Sequence, residues 1–161
     1  MEIDDYIAYF KSAHQQIRDM TFDMSEKELN WCPIEGETNS ASVLMIHVLG
    51  AERFRIHQVA GGIDVDRDRE SEFVSNSIAL NELLDYLKDV GSNTEDILKK
   101  LTLSDLDNIV PAVRSYEKNE PIRWHILHTI EHFGIHIGHL SLNRQLYAFK
   151  MGIPGGSQWA L

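Results

Sequence analysis

The chain has 161 residues, of which 15 are Lys or Arg and 25 are Asp or Glu, giving a formal net charge of −10. This length suits one domain, residues 1–161, with a hydrophobic core of its own. The negative charge repels phosphate groups, so we expect neither nucleic acid nor an anionic membrane as a partner. No apolar run reaches the roughly 20 residues that span a bilayer. With one cysteine, Cys32, and an acidic N-terminal stretch, we expect a cytoplasmic protein.

The first half of the chain predicts two long helices and a short one. Residues 3–20 carry apolar side chains at helical spacing and predict the first helix. Ser25 and Glu28 have the spacing of a capping box, which predicts a short helix over residues 26–30. The second long helix is expected over residues 41–60, where a glycine pair ends it.

The middle of the chain predicts a third long helix followed by irregular structure. Asn76 or Ser77 caps this helix, which runs to about Leu101, and Gly91 marks a bend or a break in it. The connection that follows is irregular, with a short extended piece over residues 109–113.

A fourth long helix begins near Pro121, a residue suited to a first helical turn, and runs to about Lys150. Gly and Pro residues after it end the helix. Four long helices in a single domain predict an all-α protein, a four-helix bundle.

Five of the eight histidines fall on the fourth helix, and they share one stripe of its surface. They are His125, His128, His132, His136 and His139. The neighbouring positions are apolar, among them Leu127, Ile135 and Leu142, so we expect the helix to be buried on most sides. A buried imidazole without a partner costs about 1–3 kcal/mol, and a metal ion satisfies several imidazoles at once.

The spacing of these histidines predicts a divalent metal site. His132 and His136 are four residues apart, so their side chains emerge on adjacent turns and can reach one cation. We expect the third ligand to be His47 of the second helix, which lies on a core-facing stripe, rather than His57 near the end of that helix. His128 is the alternative to His132, one turn away.

Two other metal motifs fit less well. HTIEH at residues 128–132 matches the inverted zincin pattern, but that protease needs an acidic ligand well downstream and only 29 residues follow His132. Di-iron bundles use Glu-x-x-His pairs, and no Glu in this chain has a His three residues later.

These segments together resemble the DinB/YfiT-like family of metalloproteins. The matching segments are NWCP (30–33), SASVLMIHVLGAERF (40–54) and WHILHTIEHFGIHIGHLSLNRQL (124–146). The family pattern has a histidine in the second helix and H-x-x-x-H followed by a glycine. His47, His132, His136 and Gly138 hold those places here.

The resemblance implies a four-helix bundle, often a homodimer, with a Zn, Ni or Fe ion on three histidines and open coordination positions. Characterised relatives are transferases or isomerases that use thiols such as bacillithiol, mycothiol or glutathione. We therefore expect a metal-dependent enzyme in which such a thiol, or metal-bound water, attacks a small electrophilic substrate. Glu131, His139 and His128 are candidates for proton transfer or for orienting the ligands. The alternatives are a metal-binding or stress-related module without turnover, and a structural bundle without metal.

Overall fold

The computed structural model describes residues 2–74, 78–112 and 118–153. Its α-helices are α1 (Glu2–Thr21), α2 (Glu26–Leu29), α3 (Ala41–Glu52), α4 (Leu80–Leu98) and α5 (Ile122–Met151). The α3 helix continues as a π-helical segment, Arg53–Ala60, and 3₁₀ turns occupy Ser71–Phe73 and Asp105–Asp107. Strands β1 (Ile109–Val110) and β2 (Glu120–Pro121) pair antiparallel just before α5.

The four long helices form the predicted four-helix bundle. Helices α1 and α3 each pack against both α4 and α5, so α1 lies diagonally opposite α3. The core between them is apolar, and its fully buried members include Ile17, Leu49, Leu83, Ile126 and Phe133. The all-α class is confirmed. Within the described residues, no helix is both long enough and apolar enough to cross a membrane.

Helix α3 is the most enclosed element, because it is apolar around nearly its whole circumference. Every residue of this helix except the half-buried Ile46 is buried. Ser40 caps the helix, with its hydroxyl accepting a hydrogen bond from the Val43 amide at 3.3 Å. A helix of this kind occupies the interior of a bundle, so any polar side chain that it carries must find partners inside the protein.

One such polar group is Glu52 at the end of α3, which is completely buried. Its carboxyl contacts His14 Nε2 at 2.9 Å and accepts a hydrogen bond from the Thr94 hydroxyl at 2.6 Å. The Thr94 hydroxyl in turn lies 3.0 Å from His57 Nε2. Three of the four helices of the bundle are thereby linked through one polar network. His57 is a buried, hydrogen-bonded residue, and His14 is half-buried and hydrogen-bonded.

Some local expectations were wrong. Helix α4 begins at Leu80 after Ala79 and runs through Gly91 without a break; the predicted caps, residues 76–77, lie outside the described residues. Pro121 directly precedes α5 instead of lying in its first turn. Of the predicted extended piece, Ile109–Val110 is confirmed and residue 113 is not described.

The expectation that α5 is buried on most sides was also wrong. Leu127, Ile135 and Leu142 are each exposed over about half of their surface (49%, 51% and 53%). Helices α1 and α3 cover one side of α5, and these three residues lie on the side that the bundle leaves uncovered. Apolarity of a helix does not by itself show how many neighbours the helix has.

The same substitution at two helical glycines should have opposite effects on stability. A Cβ at Gly91 would lie 2.7 Å from Nδ1 of His14, whose ring is held by Glu52. A Cβ at Gly134 would meet nothing within 4 Å. We expect Gly91→Ala to lower the free energy of unfolding by about 1–3 kcal/mol and Gly134→Ala to raise it by about 0.5–1 kcal/mol. Urea denaturation of both variants measures the two changes in the free energy of unfolding. Changes of the same sign would contradict the packing of His14 against Gly91.

Candidate metal centre

Three histidine rings meet between α3 and α5. His47 projects from the middle of α3, and His132 and His136 project from adjacent turns of α5. The ring centroid of His47 is 5.1 Å from that of His132 and 5.0 Å from that of His136, and the latter two rings are 4.4 Å apart. The structure thus brings together the three residues that the sequence predicted as ligands.

The spacing of the ring nitrogens fits a small cation. One nitrogen from each histidine lies within 4.8 Å of the other two, and Nε2 of His132 is 3.1 Å from Nε2 of His136. Tetrahedral ligands bonded at 2.0–2.1 Å are about 3.3 Å apart, so small side-chain adjustments would close the triangle around an ion. In addition, Nδ1 of His132 is buried and has no hydrogen-bond partner among the described residues.

The two α5 histidines are held uncharged. Burial, reinforced by repulsion from His136, His47 and other nearby cationic groups, lowers the pKa of His132 to about 3. Burial and the neighbouring His47 and His139 lower the pKa of His136 to about 4. Both rings therefore keep a lone pair available at neutral pH, which is the protonation state that binds a metal ion.

A buried carboxylate orients His47. Nδ1 of His47 lies 2.9 Å from Oε2 of Glu72, which the 3₁₀ turn packs against α3. Arg67 donates to both oxygens of the same carboxylate, from Nε at 2.6 Å and from Nη2 at 2.8 Å. Burial opposes ionisation of Glu72, but the hydrogen bonds from His47 and Arg67 outweigh it and hold the pKa of this carboxyl below its usual value. With Nδ1–H donating to the carboxylate, the lone pair of Nε2 is the one left for a ligand.

Gly50 makes room for this carboxylate. A Cβ at Gly50 would lie 2.2 Å from Oε1 of Glu72, so any other residue there would displace the carboxyl group from His47. Glu72 was not predicted from the sequence, because the polar segment around it resembles a solvated loop. The available signal was the glycine one turn beyond His47 on a stripe facing the core.

The remaining predicted site residues lie around the three rings at different distances. His139 is exposed, and its Nδ1 is 3.4 Å from Nδ1 of His136. The His128 ring stacks on Trp124 at 4.8 Å, and its centroid is 6.3 Å from that of His132. Glu131 lies outside the cluster. Its side chain is 71% exposed, and its Oε2 is 3.7 Å from Nδ1 of His128.

Two clefts flank the histidine cluster along α5, each with a volume of about 330 Å³. One is lined by His128, His132 and the side chains of Arg55, Arg67 and Arg69. The other is mainly apolar and includes His139, Leu142 and Leu146. Clefts of this size hold small organic molecules, and the first of them borders the cluster directly through His132.

The model of the family described as mycothiol-S-transferase matches residues 5–148. The chain belongs to this family. Because this is a DinB-like family, the resemblance noted in the sequence is confirmed. Comparison with curated proteins finds no match. The family supports the thiol-dependent transferase or isomerase type that the sequence predicted.

Solved structures share the fold of this mycothiol-S-transferase family member. A conserved protein from Enterococcus faecalis superposes with a TM-score of 0.70 at 17% identity, over 89% of this chain and 95% of the other. A mycothiol-dependent maleylpyruvate isomerase gives a TM-score of 0.66 at 13% identity, over 87% of this chain. The match spans only 61% of the isomerase chain. At these identities the likeness establishes the fold.

The lowered pKa values make the metal-free protein sensitive to acid. His132 and His136 bind protons in the unfolded chain near their usual pKa of 6.5 but resist protonation in the fold down to about 3 and 4. Between these values the unfolded state binds more protons, so we expect the free energy of unfolding to fall from about pH 7 to about pH 5. Urea denaturation of the metal-free protein measures the fall. His132→Asn should make this fall smaller. If the free energy of unfolding of that variant fell as steeply with pH as that of the wild type, His132 would not be a source of the acid sensitivity.

Proposed function

We propose that this protein is a metal-dependent S-transferase or isomerase that joins a low-molecular-weight thiol to a small electrophilic substrate. The divalent ion binds His47, His132 and His136. The observation that carries the proposal is the convergence of these rings inside the bundle, with the two on α5 held uncharged. The family supplies the thiol: mycothiol is the first candidate, and bacillithiol and glutathione are the other two.

The donor set fits Zn, Ni or Fe, because neutral imidazole binds all three. Three protein ligands leave at least one coordination position open, which is typical of catalytic rather than structural sites. Such an ion lowers the pKa of a bound thiol or water and polarises a carbonyl group. The ion's charge is not cancelled by its three neutral ligands, and the Glu72 carboxylate behind His47 partly offsets it.

The protein's own residues hold the reactants and move the proton. The thiol loses its proton as its sulfur forms a bond to the electrophilic carbon, and the leaving group or the new carbon centre takes up a proton. In an isomerisation the sulfur–carbon bond then breaks again, and the released thiolate regains the proton. His128 and His139 border the two clefts and are the candidates for this transfer. Glu131 acts only through His128, the ring it approaches to 3.7 Å.

The cleft beside His132 supports turnover rather than storage of a metal, because storage needs no room for a second molecule. Hydrolysis by metal-activated water would use the same ligands, and the family favours the thiol reaction. A homodimer and a cytoplasmic location remain predictions from the sequence.

Elemental analysis of the purified, untagged protein tests the metal site. We expect about one equivalent of Zn, Ni or Fe per chain in the wild type and none in His136→Ala, which removes one ligand. The matched control is His57→Gln, which changes a buried histidine bonded to Thr94 outside the cluster and should retain the metal. Circular dichroism of each variant verifies the helical fold.

A wild-type protein that stays metal-free after loading with each of these ions would refute the proposal. Metal retained by His136→Ala but lost in His57→Gln would place the site elsewhere in the bundle.

The carboxylate behind His47 should strengthen metal binding. Glu72→Gln keeps the size of the side chain but removes the charge that orients the His47 ring. We expect the metal dissociation constant to rise by about 10–100-fold, measured by competition with a chromogenic chelator. Glu70→Gln, at an exposed carboxylate on the same segment, should leave the constant unchanged. An equal effect of both variants would mean that only the overall charge matters.

A further inference from the structure

One side of helix α5 is apolar and uncovered along almost its whole length. Six apolar side chains on this side are each more than a third exposed, and Phe149, at 87%, is the most exposed of them. With 3.6 residues per turn, all six fall within about 100° of the helix circumference, over a length of about 37 Å. They form what we call the α5 stripe: Trp124, Leu127, Ile135, Leu142, Leu146 and Phe149.

The α5 stripe is large for a surface that stays in water. Its six side chains together expose roughly 600 Å², at the upper end of the range of about 300–600 Å² for the largest apolar patch of a monomer. An interface of standard size buries about 800 Å² per partner. The stripe therefore provides most of the area that one side of a stable protein–protein interface needs.

Two glycines leave space for a second helix on this surface. Gly134 and Gly138 lie one turn apart along the edge of the stripe, near the middle of α5, and a Cβ at either of them would meet none of the described residues within 4 Å. Packed helices have axes about 8–10 Å apart, and the side chains at the contact set this distance. Because these two positions carry no side chain, another helix can approach α5 closely there.

The stripe complements a second copy of itself. In two antiparallel α5 helices with Gly138 on the twofold axis, residues equally far before and after Gly138 face each other. Leu127 and Phe149 are each eleven residues from Gly138, so they form an apolar pair. Gly134 and Leu142 are each four residues away, so the large side chain of one helix lies over the small residue of the other.

The polar residues of this surface favour the antiparallel arrangement. Glu131 and Gln145 are each seven residues from Gly138, so a carboxylate faces an amide that can donate a hydrogen bond to it. In a parallel pair, Glu131 would face Glu131 of the partner subunit, and the two charges would repel each other. The antiparallel register therefore pairs both the apolar and the polar residues favourably.

We propose that the α5 stripe is the interface of a homodimer in which two α5 helices pack antiparallel about Gly138. The family resemblance implied a dimer but neither its surface nor its register. Leu142 and Leu146 of the stripe also line the apolar cleft that includes His139, so the second copy forms part of the wall of that cleft. This inference does not depend on the metal.

Sedimentation velocity of the untagged chain tests the surface. We expect a dimer in the wild type and a monomer in Leu142→Glu. Twofold symmetry buries the new charge twice, which should raise the dimer dissociation constant about 100-fold or more. The matched control is Leu103→Glu, outside α5, at a leucine with nearly the same exposure (51% against 53%), and this variant should remain dimeric. Circular dichroism verifies that each variant is folded.

Disulfide formation tests the register. In a Cys32→Ser background, chains with Gly134→Cys are mixed with chains with Leu142→Cys and oxidised. We expect a covalent dimer in the mixture and almost none in either variant alone. Antiparallel packing brings the two different positions together but holds identical positions at least about 12 Å apart, beyond the roughly 7 Å that a disulfide allows between Cα atoms.

Three outcomes would overturn the inference. A monomeric wild type would mean that the stripe stays exposed or is covered by something other than a second copy. A dimer that persists in Leu142→Glu would place the interface elsewhere. Disulfides in each variant alone, or none in the mixture, would exclude the antiparallel register. Since none of these variants changes a proposed metal ligand, each of these results would leave the proposed function standing.

Discussion

The site depends on one constraint, the burial of facing imidazoles in the interior of a helical bundle. Rings packed 4.4–5.1 Å apart cannot all carry charge, because their mutual repulsion and the loss of water both oppose protonation. The fold therefore holds His132 and His136 as neutral bases. The helices α3 and α5, packed against each other, bring the nitrogen lone pairs into one small volume. Metal binding is the chemistry to which such a volume is suited.

Helix α3 carries two buried polar groups of different character. At its end, the completely buried Glu52 is satisfied within the protein by His14 and Thr94, and this network joins the helices. Five residues earlier, His47 is satisfied on only one side, where Nδ1 contacts Glu72. One nitrogen of His47 lies within 4.8 Å of a nitrogen of each of His132 and His136, and within the described part of the chain Nδ1 of His132 has no hydrogen-bond partner. The network around Glu52 is satisfied within the protein and has a structural role. The histidine cluster, in contrast, retains nitrogen lone pairs that can bind a ligand.

The segment between the π-helical turn and α4 connects the candidate metal centre to the cleft lined by Arg55, Arg67 and Arg69. Arg67 clamps Glu72 behind His47 and also lines the cleft beside His132. Gly50 leaves the space into which the Glu72 carboxyl fits. Orientation of a metal ligand and the charge of a neighbouring cleft thus depend on the same short stretch of chain. A change at Arg67 would affect both.

The sequence by itself determined the helices, the bundle and the three converging histidines. Helical periodicity is local, the spacing of His132 and His136 places them on adjacent turns, and the core-facing stripe of α3 indicated His47. Only the tertiary structure decided the partners from distant parts of the chain. Glu72 reaches His47 across 25 residues, Arg55 and Arg69 converge from separate segments, and one apolar side of α5 stays exposed. These features depend on how a loop packs and on how many neighbours a helix has, and neither leaves a periodic signal in the sequence.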